Sequence, residues 1–276
     1  MLIKRRRNSF WGGFRYVILA IILAAALFPI YFILSTSLKT PMLTFDPSAW
    51  IFTPTFENYK SLVEQFNVFP YMLNSIIITV GSVLLSLLLG AMSAYAFVKY
   101  DFKSKESIAN WMLSMRFLPA MASIIPLFLI AQVIRMTDNH LFLILAYQTF
   151  NIPFAAWMLR GFFEEIPREL EEAALVDGAN RWQSLTQIMI PLVRPGLFAT
   201  SALLIIQTWN EFAMAFFLTS RNARTIPTIT SQFQTVRGVL WGEMAALGVL
   251  TTIPVIFFAI LARKYLIRGL TFGAIK

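Results

Sequence analysis

Between Arg168 and Pro191 the chain reads RELEEAALVDGANRWQSLTQIMIP, a polar stretch set between long apolar ones. Pro167 suits the start of a helix, where its missing N–H costs nothing. Glu169, Glu171 and Glu172 then fall near the positive end of that helix's dipole. Ala173 and Ala174 are strong helix formers whose short side chains allow a partner close approach. Gly178 takes a left-handed backbone cheaply and is the natural stop. A second short helix is expected from Asn180 to Ile188, ending before Pro191. Two short helices joined by a tight turn make a rigid knob, a handle that a membrane protein can offer to a soluble partner. From composition alone, a solvated amphipathic loop lying on the membrane surface is the plainer alternative.

The surroundings explain why a handle is needed. Of 276 residues, 58% are hydrophobic and only 13% charged, about half the charge of a soluble domain. The apolar groups must therefore face lipid, and the chain reads as an all-α integral membrane protein. Zero cysteines exclude disulfides, thiolate nucleophiles and cysteine metal sites, and a single histidine, His140, excludes a histidine-rich metal site. A net charge of +9 could point to nucleic acid, but the positive residues cluster beside apolar spans, so nucleic acid is not an expected partner. Lipid is.

Six apolar stretches can cross about 30 Å of hydrocarbon as helices: Tyr16–Leu34, Tyr71–Val98, Ile108–Val133, Leu141–Leu159, Leu197–Leu218 and Met244–Ala262. Lys4–Arg7 before the first could mark a secretory signal, but five more spans follow, which favours an uncleaved helix. Six spans put both termini on one side. Sixteen lysines and arginines fall on that side and six on the other, with Arg116 inside a span, accounting for all 23. The excess places both termini and the handle in the cytoplasm. The expected layout is one transmembrane domain over residues 1–276, with a cytoplasmic loop at about 160–194 and a tail at about 263–276.

Within the spans, Ser82, Ser86, Gly90 and Ala94 put small residues on one face of the second helix. That stripe permits close helix packing, most simply within the bundle. Pro119, Pro126 and Pro153 are expected to interrupt the third and fourth helices, which is tolerated beside neighbours or a water-filled cavity. Ionisable groups inside a span cost at least about 2.5–3.5 kcal/mol and need a reason. Glu211 sits deep in the fifth helix beside Gln207, Trp209 and Asn210. These groups either line a solute path, with amides and carboxylate facing hydroxyls and Trp209 stacking on a sugar ring, or lock helices together. Arg116, roughly 12 Å inside the third helix, can neutralise Glu211, reach back to the surface, or meet an anionic solute group. Asn151 beside Pro153 is a further path candidate.

The handle also carries a resemblance. Glu172-Ala173-Ala174, then Gly178, then Ile188-Met189-Ile190-Pro191 is similar to the E-A-A, G, I-x-L-P pattern of transmembrane subunits in binding-protein-dependent ABC importers, with Ile190 for the usual leucine. Ser35–Lys39, Ala94-Tyr95-Ala96-Phe97, Trp209-Asn210-Glu211-Phe212 and the tail Arg268–Lys276 resemble the carbohydrate-uptake, maltose-type branch. The resemblance spans nearly the whole chain and implies a type I importer transmembrane domain. It also implies that the handle is a coupling helix, with Glu171, Glu172, Ala173, Ala174, Asp177 and Gly178 docking an ATPase. A tail reaching between ATPase subunits is implied as well.

The partners so implied are a second permease subunit, two ATPase subunits and an extracytoplasmic solute-binding protein meeting the loops Lys39–Pro70 and Thr219–Glu243. The location implied is the bacterial inner membrane, and the solute a sugar, polyol, oligosaccharide or modified sugar. No glycine is followed by lysine, so the phosphate-cradling G-x-x-x-x-G-K-[ST] loop is missing. The chain is therefore expected to hydrolyse no ATP, and ATP and magnesium belong to the ATPase partner. The competing readings are an ion-driven secondary transporter, which predicts inverted repeats that the sequence does not display, and a membrane enzyme, for which no nucleophile, base or metal-ligand set can be assembled.

Overall fold

The computed structural model describes residues 9–236 and 238–271; the basic run Lys4–Arg7, Arg237 and the tail end Phe272–Lys276 lie outside the described residues. Four helices are singly long and apolar enough to cross a membrane: α1 (Ser9–Ser37), α3 (Val68–Lys99), α6 (His140–Glu164) and α12 (Trp241–Thr271). Counting each bent helix pair as one span raises the number among the described residues to as many as six. The short helix α2 (Glu57–Glu64) precedes α3. Helix α12 runs on through Thr271, past residue 263 where the tail was expected to begin.

The two remaining spans are broken. The third is α4 (Lys105–Ser114), a tight 3-10 turn over Met115–Phe117, and α5 (Ala120–Val133). Leu118 and Pro119 are extended at the break, as expected where proline disfavours a helical conformation in its predecessor. Pro126 and Pro153, by contrast, lie inside continuous α5 and α6, so only Pro119 interrupts. The other bent pair joins Arg181–Leu192 to α10 (Arg194–Trp209) at 75°, and the expected unbroken Leu197–Leu218 is interrupted at Asn210–Phe212 before α11 (Ala213–Leu218). Glu211 causes the break. Its carboxylate accepts the N–H groups of Met214 at 2.9 Å and Ala215 at 3.1 Å, which caps a new helix instead of extending the old one.

The larger compact unit comprises residues 68–231 and the second part of α12. In it α3 lies along α6, and α10 packs on both. The small-residue stripe is the seam. Ser82, Ser86 and Ala94 are fully buried, and a Cβ on Gly90 would stand 2.4 Å from that of Ala155. Ser86 donates to Gln148 at 2.7 Å across the same seam. The stripe is thus used within the chain. One apolar cluster joins Ile78, Phe142, Leu143, Tyr147, Met214 and Leu218; another joins Ala91, Tyr95, Leu159, Phe163, Leu185 and Met189.

The smaller unit holds residues up to Asn67 and Gln232–Thr252. Buried Asn58 donates to the carbonyls of Ser37 at 2.9 Å and Lys39 at 2.7 Å. Gly242 makes room for it, since a Cβ there would meet the Asn58 Oδ1 at 2.3 Å. Strands β1 (Gln234–Thr235) and β2 (Gly238–Val239) form a minimal antiparallel pair, with Gln234 opposite Val239.

Candidate functional site: the handle and a polar cavity

The handle is α7 (Arg168–Val176), a Gly178 turn, and a helical run beginning at α8 (Arg181–Gln183). The turn is a Schellman closure: Ala179 N–H reaches the Ala174 carbonyl at 3.0 Å and Gly178 N–H that of Leu175 at 3.2 Å. Gly178 has φ +91, a conformation that side chains resist. Asn180 and Gln183 form a reciprocal capping box that starts the next helix. That helix does not end before Pro191. It passes through a π turn over Ser184–Met189 into α9 (Ile190–Leu192), and the widened turn accommodates a residue with no N–H to donate.

The two faces of α7 differ. Glu172, Ala173, Asp177 and Gly178 are exposed, as are Leu170 and Val176, the latter at 87%. Glu171 and Ala174 are buried, at 4% and 6% exposure. Both were expected on the docking face and both instead point into the chain, because residues three apart share one side of a helix. The Glu171 carboxylate lies 3.2 Å from the Lys99 ammonium and 3.5 Å from Arg181, and it accepts a hydrogen bond from the Tyr95 hydroxyl. The sequence offered one signal for this cluster: a tyrosine and a lysine one turn apart where an apolar helix ends.

A cavity of about 270 Å³ sits among Arg116, Leu118, Tyr147, Phe150, Asn151, Gln207, Thr208, Glu211 and Met214. Of the path candidates, Arg116, Asn151, Gln207 and Glu211 line it and Trp209 and Asn210 do not. Trp209 is buried at 4% exposure and so has no open ring face for a sugar. Asn210 turns back to the Ile206 carbonyl at 2.7 Å. Asn151 donates to Thr208 at 3.0 Å. Glu211 accepts from the Tyr147 hydroxyl at 2.9 Å besides the two backbone N–H groups.

Arg116 forms no ion pair among the described residues, so of its three possible roles the neutralisation of Glu211 is not made; the three donors already satisfy that carboxylate. The guanidinium lies 4.1 Å from the centre of the Phe154 ring, a cation–π contact, and its Nη1 is buried without a hydrogen-bond partner. A larger recess of about 450 Å³ runs between α4 and α6. Its arginine, Arg160, is occupied by Glu106 and Glu164 at 2.8 Å each.

Away from the handle, at the other end of α3, a second polar cluster went unseen in the sequence. Asp138 accepts four backbone N–H bonds of 2.8–3.0 Å from Ser220, Arg221, Asn222 and Ala223. Burial would raise the Asp138 carboxyl, but the four donors outweigh it and hold the group at about 2. Asn74 grips the carbonyls of Asn222 and Arg224 at 2.8 and 2.9 Å, and His140 bonds Asn74 at 2.7 Å. Ser75 accepts from Ile226 N–H at 2.7 Å. His140, the first residue of α6, thus belongs to this cluster.

Spanning helices, some broken at mid-bundle, with a two-helix handle between the fourth and fifth define a transport permease domain. The sequence matches the family described as "Binding-protein-dependent transport system inner membrane component" over residues 82–272, and the chain belongs to that family. It is 31% identical to the sulfoquinovosyl glycerol transport system permease protein SmoH of Agrobacterium fabrum, over 98% of this chain and 96% of the relative. It is 34% identical to the trehalose transport system permease protein SugB of Mycobacterium tuberculosis, over 98% of each. In structure it is similar to a bacterial ABC transporter involved in the import of the acidic polysaccharide alginate, with TM-score 0.78, 24% identity, and 96% of this chain and 99% of that chain covered. The fold is that of a type I ABC importer transmembrane domain, and the resemblance read from the motifs holds.

Proposed function

We propose that this chain is one half of the membrane pathway of an ATP-driven importer for a sugar or sugar-like solute, working by alternating access. The carrying observation is the two-faced handle. Its inner side is pinned to the bundle, while Leu170, Glu172, Ala173 and Val176 are left facing outward, a surface that suits the cleft of an ATPase subunit. Two such subunits bind ATP and magnesium, and a second permease subunit completes the pathway. The chain contributes no catalytic group, in keeping with its lack of a phosphate loop. The positive-inside excess supports a cytoplasmic handle and cytoplasmic termini in a bacterial inner membrane. A solute-binding protein then meets the opposite end, where Asp138 and Asn74 hold the loop after α11 in one shape.

The sugar class is supported by the named relatives, which serve trehalose and sulfoquinovosyl glycerol. The cavity of Arg116, Asn151, Gln207 and Glu211 is the solute path in this reading. The uncommitted Arg116 Nη1 supplies a donor to a hydroxyl or an anionic group, and Gln207 supplies an amide. Two substitutions test the handle. Glu172→Lys reverses the exposed charge, and Gly178→Val forces a β-branched residue into a left-handed backbone. Each is expected to cut uptake by at least about tenfold with normal membrane insertion. Full uptake by both variants contradicts the proposal.

A further inference from the structure

Glu171 deserves a role of its own, because it is the one acidic residue of α7 that cannot reach a partner. Its side chain and that of Lys99 are each only 5% exposed, with 3.2 Å between Nζ and Oε2. Tyr95 donates to the other oxygen, and the Tyr95 ring packs edge-on against Phe163 at 6.0 Å. A buried pair of this kind depends on further hydrogen bonds: Tyr95 and Arg181 supply them to the carboxylate, while the Lys99 Nζ, buried without a hydrogen bond of its own, is held by the ion pair alone. The pair ties α7 to the last turn of α3.

From there α3 runs 32 residues, its one proline, Pro70, confined to the first turn, a rod about 48 Å long. Near its far end Asn74 and Ser75 hold the 222–226 loop. The third and fifth spans are broken midway, so α3 offers a continuous route that they do not. We infer that Glu171 is a positioning residue that locks the handle to α3, and that α3 carries handle displacement as a rigid rod to the loop after α11. The inference rests on the importer reading above.

The test uses the complete importer in liposomes, with solute uptake and ATP hydrolysis measured on the same preparation. Glu171→Gln keeps an acceptor for Tyr95 but removes the ion pair. It is expected to lower solute moved per ATP about tenfold while ATP turnover stays within a few-fold of wild type. Tyr95→Phe, a milder change, is expected to lower the ratio less, and Lys99→Arg to preserve it. An unchanged ratio in Glu171→Gln overturns the inference, whether both rates stay normal or fall together as in simple loss of folded complex. Were Glu171→Gln not to assemble, Tyr95→Phe decides: an unchanged ratio overturns the inference and a lowered one supports it. Normal uptake in Glu172→Lys and Gly178→Val refutes the importer reading itself, a separate outcome.

Discussion

Glu171 is buried and Glu211 half-buried, and the chain satisfies the two carboxylates in opposite ways. Glu171 is matched by a cation, Lys99, reinforced by Tyr95. Glu211 pairs with no cation among the described residues; a tyrosine hydroxyl and two backbone N–H groups carry its charge. The first arrangement sets opposite charges against each other and braces a joint. The second leaves an arginine over with an unpaired nitrogen beside a cavity, and it breaks a helix to do so. One end of the bundle is thus built to transmit and its middle to accommodate.

The sharpest way to break that contrast is to remove one member of the braced pair. Glu171→Ala leaves the Lys99 ammonium buried and unmatched, and about 3–5 kcal/mol of stability is expected to go, seen as a large drop in Tm of the purified importer. Replacing both by methionine should recover most of that stability yet leave transport uncoupled, which separates bracing from mere packing. Gly90→Val comes next. Its Cβ starts 2.4 Å from Ala155, and overpacking the α3–α6 seam is expected to cost about 1–3 kcal/mol in the same assay.

Glu211→Gln should cost less, about 1–2 kcal/mol, because one acceptor oxygen remains for Tyr147 and the Ala215 N–H, though the Met214 N–H, which bonds the other carboxylate oxygen, loses its partner. A loss as large as that of Glu171→Ala would erase the distinction between the two carboxylates.

Asp138→Asn is the smallest, about 1 kcal/mol once solvent screening is allowed for. The pH dependence follows from its depressed carboxyl. The stabilisation is fully present above the ordinary aspartate range near 4 and is lost as pH falls through about 2. Melts of wild type and Asp138→Asn should therefore differ at neutral pH and converge near pH 2.

The handle was legible in the sequence because its logic is local: the Gly178 stop and the Asn180 start act on neighbours a few residues away. The burial of Glu171 was not, since Tyr95 and Lys99 lie more than seventy residues earlier and meet it only when α3 packs beside α6. The broken fifth span was hidden for a different reason. Hydropathy counts residues by type, and nothing in it registers that a glutamate can cap the next helix with its own side chain. Pro119 did announce the break in the third span. Pro126 and Pro153 made the same announcement falsely, because neighbouring helices hold α5 and α6 intact.

If the handle is the drive shaft, this chain moves solute only when an ATPase engages it. The most direct measurement reconstitutes the chain alone, and then with the ATPase and second permease that co-purify from its native membrane, into liposomes with binding protein and solute outside. The account predicts ATP-dependent uptake in the complete assembly and none by the chain alone. Solute accumulation by the chain alone, following an ion gradient and indifferent to ATP, would contradict it.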